Sequence, residues 1–190
     1  MITDFTRLSL SEMLAEIEAI AADAQRAFSH LDARQLNWQP GAEAWSVAQC
    51  LEHLLTANRR MLQPIDEALA GTKRTRFFER LPVLPGLCGR YMIKVVSPGF
   101  KQKLKAPTTA RPATSAIDAQ IVSRFVTHQR EIAERIKSLE RLNAAQIVMT
   151  SPFLSFITYS LLDGCRLIVA HERRHLAQAQ RVIEAPGFPR

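Results

Sequence analysis

Cysteine is scarce in this chain, and its placement excludes two frameworks. Cys50, Cys88 and Cys165 are odd in number and far apart, so they build neither a disulfide scaffold nor a Cys-x-x-Cys metal site. Free thiols of this kind fit a reducing cytoplasm, the expected compartment. Long apolar runs are missing too, since no stretch approaches the roughly 20 residues of a membrane-spanning helix. Met1-Ile2-Thr3-Asp4-Phe5-Thr6-Arg7 lacks the basic start and apolar run of a secretory signal, so none is expected. Histidine is sparse, with five residues at 30, 53, 128, 171 and 175, and their spacing is correspondingly informative.

What is present reads as a helical globular chain. At 190 residues, 47% hydrophobic and 23% charged, it is long enough to bury one continuous core as a single domain. Four segments carry apolar residues at steps of three and four: about 10–31, 47–70, 116–142 and 161–184. Each opens on a serine followed three residues later by an acid or amide: Ser9/Glu12, Ser46/Gln49, Ser115/Asp118 and Ser160/Asp163. That pair satisfies backbone N–H groups left without partners at a helix start. No strand-like alternation competes with these segments. Val148–Tyr159 is apolar and β-branched enough to be extended but reads as a packed connection. The expectation is an all-α four-helix bundle with a long, partly helical connection, 72–114, between the second and third helices. Gly164, inside the fourth, costs about 1 kcal/mol of helix propensity and is expected to let two helices approach closely.

The net charge of +7 belongs to one segment. Of 25 basic and 18 acidic residues, nine and one fall in 72–105, giving +8 there and −1 elsewhere. Aromatic and aliphatic residues interleave with these charges, a pattern shared by membrane-surface elements and anion-binding patches. Without a nucleic-acid motif beside it, the segment reads first as a solvated connection with its apolar side on the body. Contact with a membrane or polyanion is the less favoured reading.

His171 and His175 are four apart in Ala170-His171-Glu172-Arg173-Arg174-His175, which puts both rings on one helix face, one turn apart. Two imidazoles so placed reach one ion at the roughly 2.0–2.1 Å of a Zn–N bond. A third ligand must come from elsewhere, and His53 on the second helix is the best candidate. Three neutral imidazoles leave a coordination position open, the catalytic pattern, whereas structural zinc is usually closed by four protein ligands. An ion held that way acidifies a water or thiol. His128 lies on an apolar stripe between Phe125 and Ile132 and is expected to line the pocket or shuttle protons, with a fourth-ligand role second. His30 is expected to complement the dipole at the end of the first helix. The literal His-Glu-x-x-His match would make Glu172 the general base of a zinc protease. That enzyme class takes a third ligand downstream, and the positions after His175 offer Arg181 and the distant Glu184. Glu172 therefore reads first as a solvated charge, with an acid–base role beside the metal second.

Leu36-Asn37-Trp38-Gln39-Pro40, Ala44-Trp45-Ser46-Val47-Ala48-Gln49-Cys50-Leu51-Glu52-His53-Leu54, Tyr159-Ser160-Leu161-Leu162-Asp163 and the block Ala170–Gln178 together resemble the DinB-like superfamily of metal-binding four-helix bundles. The resemblance implies that His53, His171 and His175 bind a divalent transition ion such as zinc, nickel or iron. It further implies transferase or isomerase chemistry with a low-molecular-weight thiol, bacillithiol or mycothiol, as co-substrate. Metal-assisted hydrolysis needs the same three ligands, and a non-catalytic metal-binding, stress-related protein is the alternative from another class. A small-molecule substrate, no specific nucleic acid and a homodimer complete the expectations.

Overall fold

Serine caps set the register of three of the four long helices. The computed structural model describes residues 3–80, 84–100, 108–112 and 115–190. In it α1 (Leu10–Phe28) and α3 (Val47–Leu69) each open on a complete capping box. Ser9 and Ser46 accept from the N–H groups of Glu12 and Gln49, whose side chains accept from the serines' own N–H in return. Ser160 opens α6 (Leu161–Ile183) by accepting from the Asp163 N–H at 3.0 Å. The short α2 (Ala33–Asn37) lies outside the four expected segments but carries the same box, in Asp32 and Gln35.

The fourth expected cap is absent. α5 runs Ile121–Ser138 with Gln120 at its N-cap and no side-chain cap bond, five residues later than expected. The Asp118 carboxylate instead accepts from the N–H of Gln120 at 2.9 Å, a local turn that competes with helix. Both backbone groups of Ile117 are taken by the Asn37 side chain, at 2.8 and 2.9 Å. This tie to α2 holds the chain out of the helix. α1 also ends earlier than expected, and His30 lies exposed in the turn beyond it. Its buried stripe is Met13, Ile17, Ile20, Ala24 and Phe28, so Leu10 and Leu14 flank the core rather than centre it.

Val148–Tyr159 is a hairpin, not a packed connection. β1 (Val148–Thr150) pairs antiparallel with β2 (Thr158–Ser160), with Met149 opposite Tyr159. Further backbone bonds, Ser151 N–H to Ile157 and Leu161 N–H to Ile147, both at 2.8 Å, continue the pairing at either end. The connection after α3 contains α4 (Leu84–Val96), as a partly helical excursion requires; Lys101, Lys103 and Lys105 of its basic run lie outside the described residues.

The molecule is mainly helical. α1 and α3 each pack against both α5 and α6, and α4 covers α6 and β2. α6 is enclosed nearly all round, burying Leu161, Cys165, Ile168, Val169, Ala170 and Ala179 among others. Full burial of Leu161, Ile168 or Val169 contributes about 1.5–3 kcal/mol each. Two glycines mark close approaches. A Cβ on Gly89 would stand 2.6 Å from Asp163 Oδ2, and one on Gly164 would stand 2.8 Å from Met149 Sδ. Gly164 thus makes room for a strand side chain rather than for the helix contact its sequence suggested. No helix among the described residues is long and apolar enough to cross a membrane.

Candidate metal centre

The register fixed by Ser46 turns His53 inward from α3, and the register fixed by Ser160 puts His171 and His175 one turn apart on α6. Because α3 and α6 are packed neighbours, the three rings converge. Their centroids are 5.1 Å (His53–His171), 4.6 Å (His53–His175) and 4.6 Å (His171–His175) apart. One ligand nitrogen from each ring lies within 4.8 Å of the others.

The geometry fits a divalent ion. His53 Nε2 and His171 Nε2 are 3.3 Å apart. Two nitrogens at roughly 2.0–2.1 Å from a tetrahedral ion stand about 3.3–3.4 Å from each other. The His53 Nδ1 lies 2.5 Å from the Ala110 carbonyl, which selects the tautomer carrying its proton on Nδ1 and leaves the Nε2 lone pair for the ion. His53 and His175 are only 3% and 8% exposed, and burial holds all three rings below the ordinary histidine range. His175 is pushed down to about 3, by burial first and then by the neighbouring His53 and Arg174. His171 is held well below by burial, with His175 and His53 adding to it; His53 is lowered by burial against the opposing Ala110 bond. Lowering in this direction favours the neutral rings, whose lone pairs a cation can use. Trp45 closes one side, stacked on His175 at 5.6 Å with planes 19° apart and tilted against His53 at 4.9 Å.

Among the described residues the group able to share an ion consists of His53, His171 and His175. His128 is not in it. It is buried on α5, its Nδ1 pairs with Glu131 Oε2 at 2.8 Å, and its Nε2 is buried without a hydrogen-bond partner. Its pKa is lowered by burial, against the raising effect of Glu131.

Glu172 corrects the sequence reading outright. Rather than a solvated charge it is fully buried, with 0% exposure. Its Oε1 accepts from Asn58 Nδ2 on α3 at 2.7 Å and from Gln129 Nε2 on α5 at 2.8 Å. Burial pushes its carboxyl up to about 7, against the opposing pull of Gln129 and Asn58. One side chain beside His171 therefore joins three helices. Asn58 and Gln129 are polar residues on otherwise apolar faces, and that mismatch was the available signal for them. Nothing in the sequence points to the Ala110 carbonyl.

The sequence model of the DinB superfamily matches residues 16–179, which span all three histidines. The chain belongs to the DinB superfamily. It is also similar to the uncharacterized protein YuaE of Bacillus subtilis (strain 168), with 25% identity over 159 residues covering 81% of this chain and 86% of YuaE. No solved structure matches it. This DinB-superfamily member thus carries its three candidate ligands on two helices, α3 and α6, that open on serine caps.

Proposed function

We propose that this protein is a divalent-metal-dependent enzyme acting on a small molecule, of the thiol S-transferase or hydrolase type. His53, His171 and His175 hold the ion, and a four-helix bundle formed by α1, α3, α5 and α6 carries them. The convergence of three neutral imidazoles from two helices, with two Nε2 atoms 3.3 Å apart, is the observation that supports this most directly. With three protein ligands in the group, a coordination position is left for a substrate, the arrangement of catalytic rather than structural sites. The ion supplies Lewis acidity, lowering the pKa of a water or thiol that it binds.

This chain's own residues supply orientation and dryness. The Ala110 carbonyl fixes the His53 tautomer, Trp45 shields one side of the trio, and Glu172 locks α6 against α3 and α5 next to His171. Glu172 is in this reading a positioning residue, and an acid–base part for it or for His128 is the secondary proposal. A cytoplasmic setting agrees with the buried, free Cys50 and Cys165. The test is a screen of thiol transfer and of ester and amide hydrolysis, with and without chelator. Chelator-sensitive turnover that is lost in His171→Ala is the expected result. Activity unchanged by both refutes the proposal.

A further inference from the structure

Six large apolar side chains are exposed among the described residues: Phe77 (75%), Phe78, Leu87, Tyr91 (65%), Leu154 and Phe156. All six come from three adjoining segments. Phe77 and Phe78 belong to a 3-10 turn, Phe77–Arg80; Leu87 and Tyr91 lie on α4; Leu154 and Phe156 lie on the loop joining β1 to β2. α4 packs on β2, and the 3-10 turn packs on both strands, anchored by Glu79 Oε1 accepting from Thr150 at 2.9 Å. On α4, Gly89 and Ile93 face the body, so Leu87 and Tyr91, one turn apart, occupy the opposite face. The connection therefore does not tuck its whole apolar side inward, as the sequence suggested. Clustered exposure of this kind marks an interaction surface.

The charge around these side chains has one sign. Arg74, Arg76, Arg80, Arg90 and Lys94 are exposed. The only acid in 72–100 is Glu79, which is buried and taken by Lys73 at 2.7 Å. Residues 142–162, which include the whole hairpin, contain no charged residue. Asp4, at the edge near Lys94, is already engaged by Thr6. A second copy on this face would set cations against cations, which opposes self-association. Single-stranded nucleic acid would stack on the aromatics, but the exposed Leu87 and Leu154 and the uncharged hairpin loop have no counterpart in it. Aromatic and leucine side chains ringed by Arg and Lys match the boundary between headgroups and acyl chains of an anionic bilayer.

We propose that this end of the molecule docks on anionic phospholipid membranes, with Phe77, Leu87, Tyr91 and Phe156 entering the headgroup boundary and Arg76, Arg80, Arg90 and Lys94 meeting lipid phosphates. The proposal is independent of the metal centre. The test is co-sedimentation of the full chain with vesicles of phosphatidylcholine alone or mixed with phosphatidylglycerol. Binding is expected to require phosphatidylglycerol and to disappear as salt shortens the Debye length from about 10 Å to about 3 Å. Each cation near the surface is worth about fivefold in binding, so Arg90→Gln with Lys94→Gln should weaken it about 25-fold. Phe156→Ser should weaken it at an unchanged net charge. In Phe156→Trp the added indole's emission should shift to the blue on anionic vesicles alone. Chelator and His171→Ala should change none of this. Equal sedimentation with both vesicle types overturns the proposal. So does a dimer in light scattering that Phe156→Ser dissociates, or capture of a single-stranded oligonucleotide with no vesicle binding.

Discussion

Removing the Glu172 carboxylate should have opposite effects according to what replaces it. In Glu172→Gln the Oε1 acceptor remains, so Asn58 Nδ2 and Gln129 Nε2, now at 2.7 and 2.8 Å, keep their partner. In Glu172→Leu both amides are left buried without an acceptor. Each such loss costs about 1–3 kcal/mol, so Glu172→Leu should be less stable than Glu172→Gln by roughly 2–6 kcal/mol at every pH. The pH dependence separates the charge from the bonds. The folded-state pKa of Glu172 is raised to about 7 from an ordinary 4.5, so between these values the folded chain holds a proton that the unfolded chain has lost. Stability from this group is full below the lower value, falls as pH rises through the upper one, and is constant above it. At 1.36 kcal/mol per unit, Glu172→Gln should gain up to about 3 kcal/mol on the wild type in mild alkali and nothing in mild acid. Denaturant melts of chelated protein at both pH values read this, taken as variant minus wild type so that the histidines common to both cancel. If Glu172→Gln tracks the wild type at both pH values, the raised carboxyl is wrong; if Glu172→Leu is as stable as Glu172→Gln, the buried three-helix tie is wrong.

Ser9→Ala, Ser46→Ala and Ser160→Ala should each cost about 0.5–2 kcal/mol in thermal or denaturant melts through loss of a cap. Ser115→Ala should be silent, because α5 opens without a side-chain cap. Gly89→Ala should lose stability, since its Cβ would meet Asp163 at 2.6 Å and 3.0 Å, a clash of about 1–3 kcal/mol against about 1 kcal/mol of helix propensity gained. Gly164→Ala should come out near neutral in the same melts, because the obstructing atom is the flexible Met149 thioether. Trp45, stacked on His175, should lose fluorescence when nickel or copper is added, and His175→Ala should abolish the quenching.

The long helices and the histidine trio were legible for one reason. Capping at Ser46 and Ser160 is local, and local signals fix register, which decides where His53, His171 and His175 point. The failures are those of non-local partners. Ser115 and Asp118 carry as good a cap signature as Ser9 and Glu12, but Asn37 takes the backbone of Ile117 from eighty residues away. The hairpin at Val148–Ser160 was hidden because two three-residue strands are too short to show alternation and exist through their pairing. Glu172 looked solvated because its donors sit on two other helices. α2 could have been read, since Asp32 and Gln35 form the same box as the serine caps; only its brevity concealed it.

Metal content of the chain and its single-histidine variants tests the central claim most directly. Purified protein, stripped by chelator and then titrated with zinc under calorimetry, should bind about one ion per chain. His53→Ala, His171→Ala and His175→Ala should each lose that binding while keeping their helical circular dichroism. Full occupancy in His53→Ala would contradict the account, because the ion would then be held without the ring that α3 brings to α6.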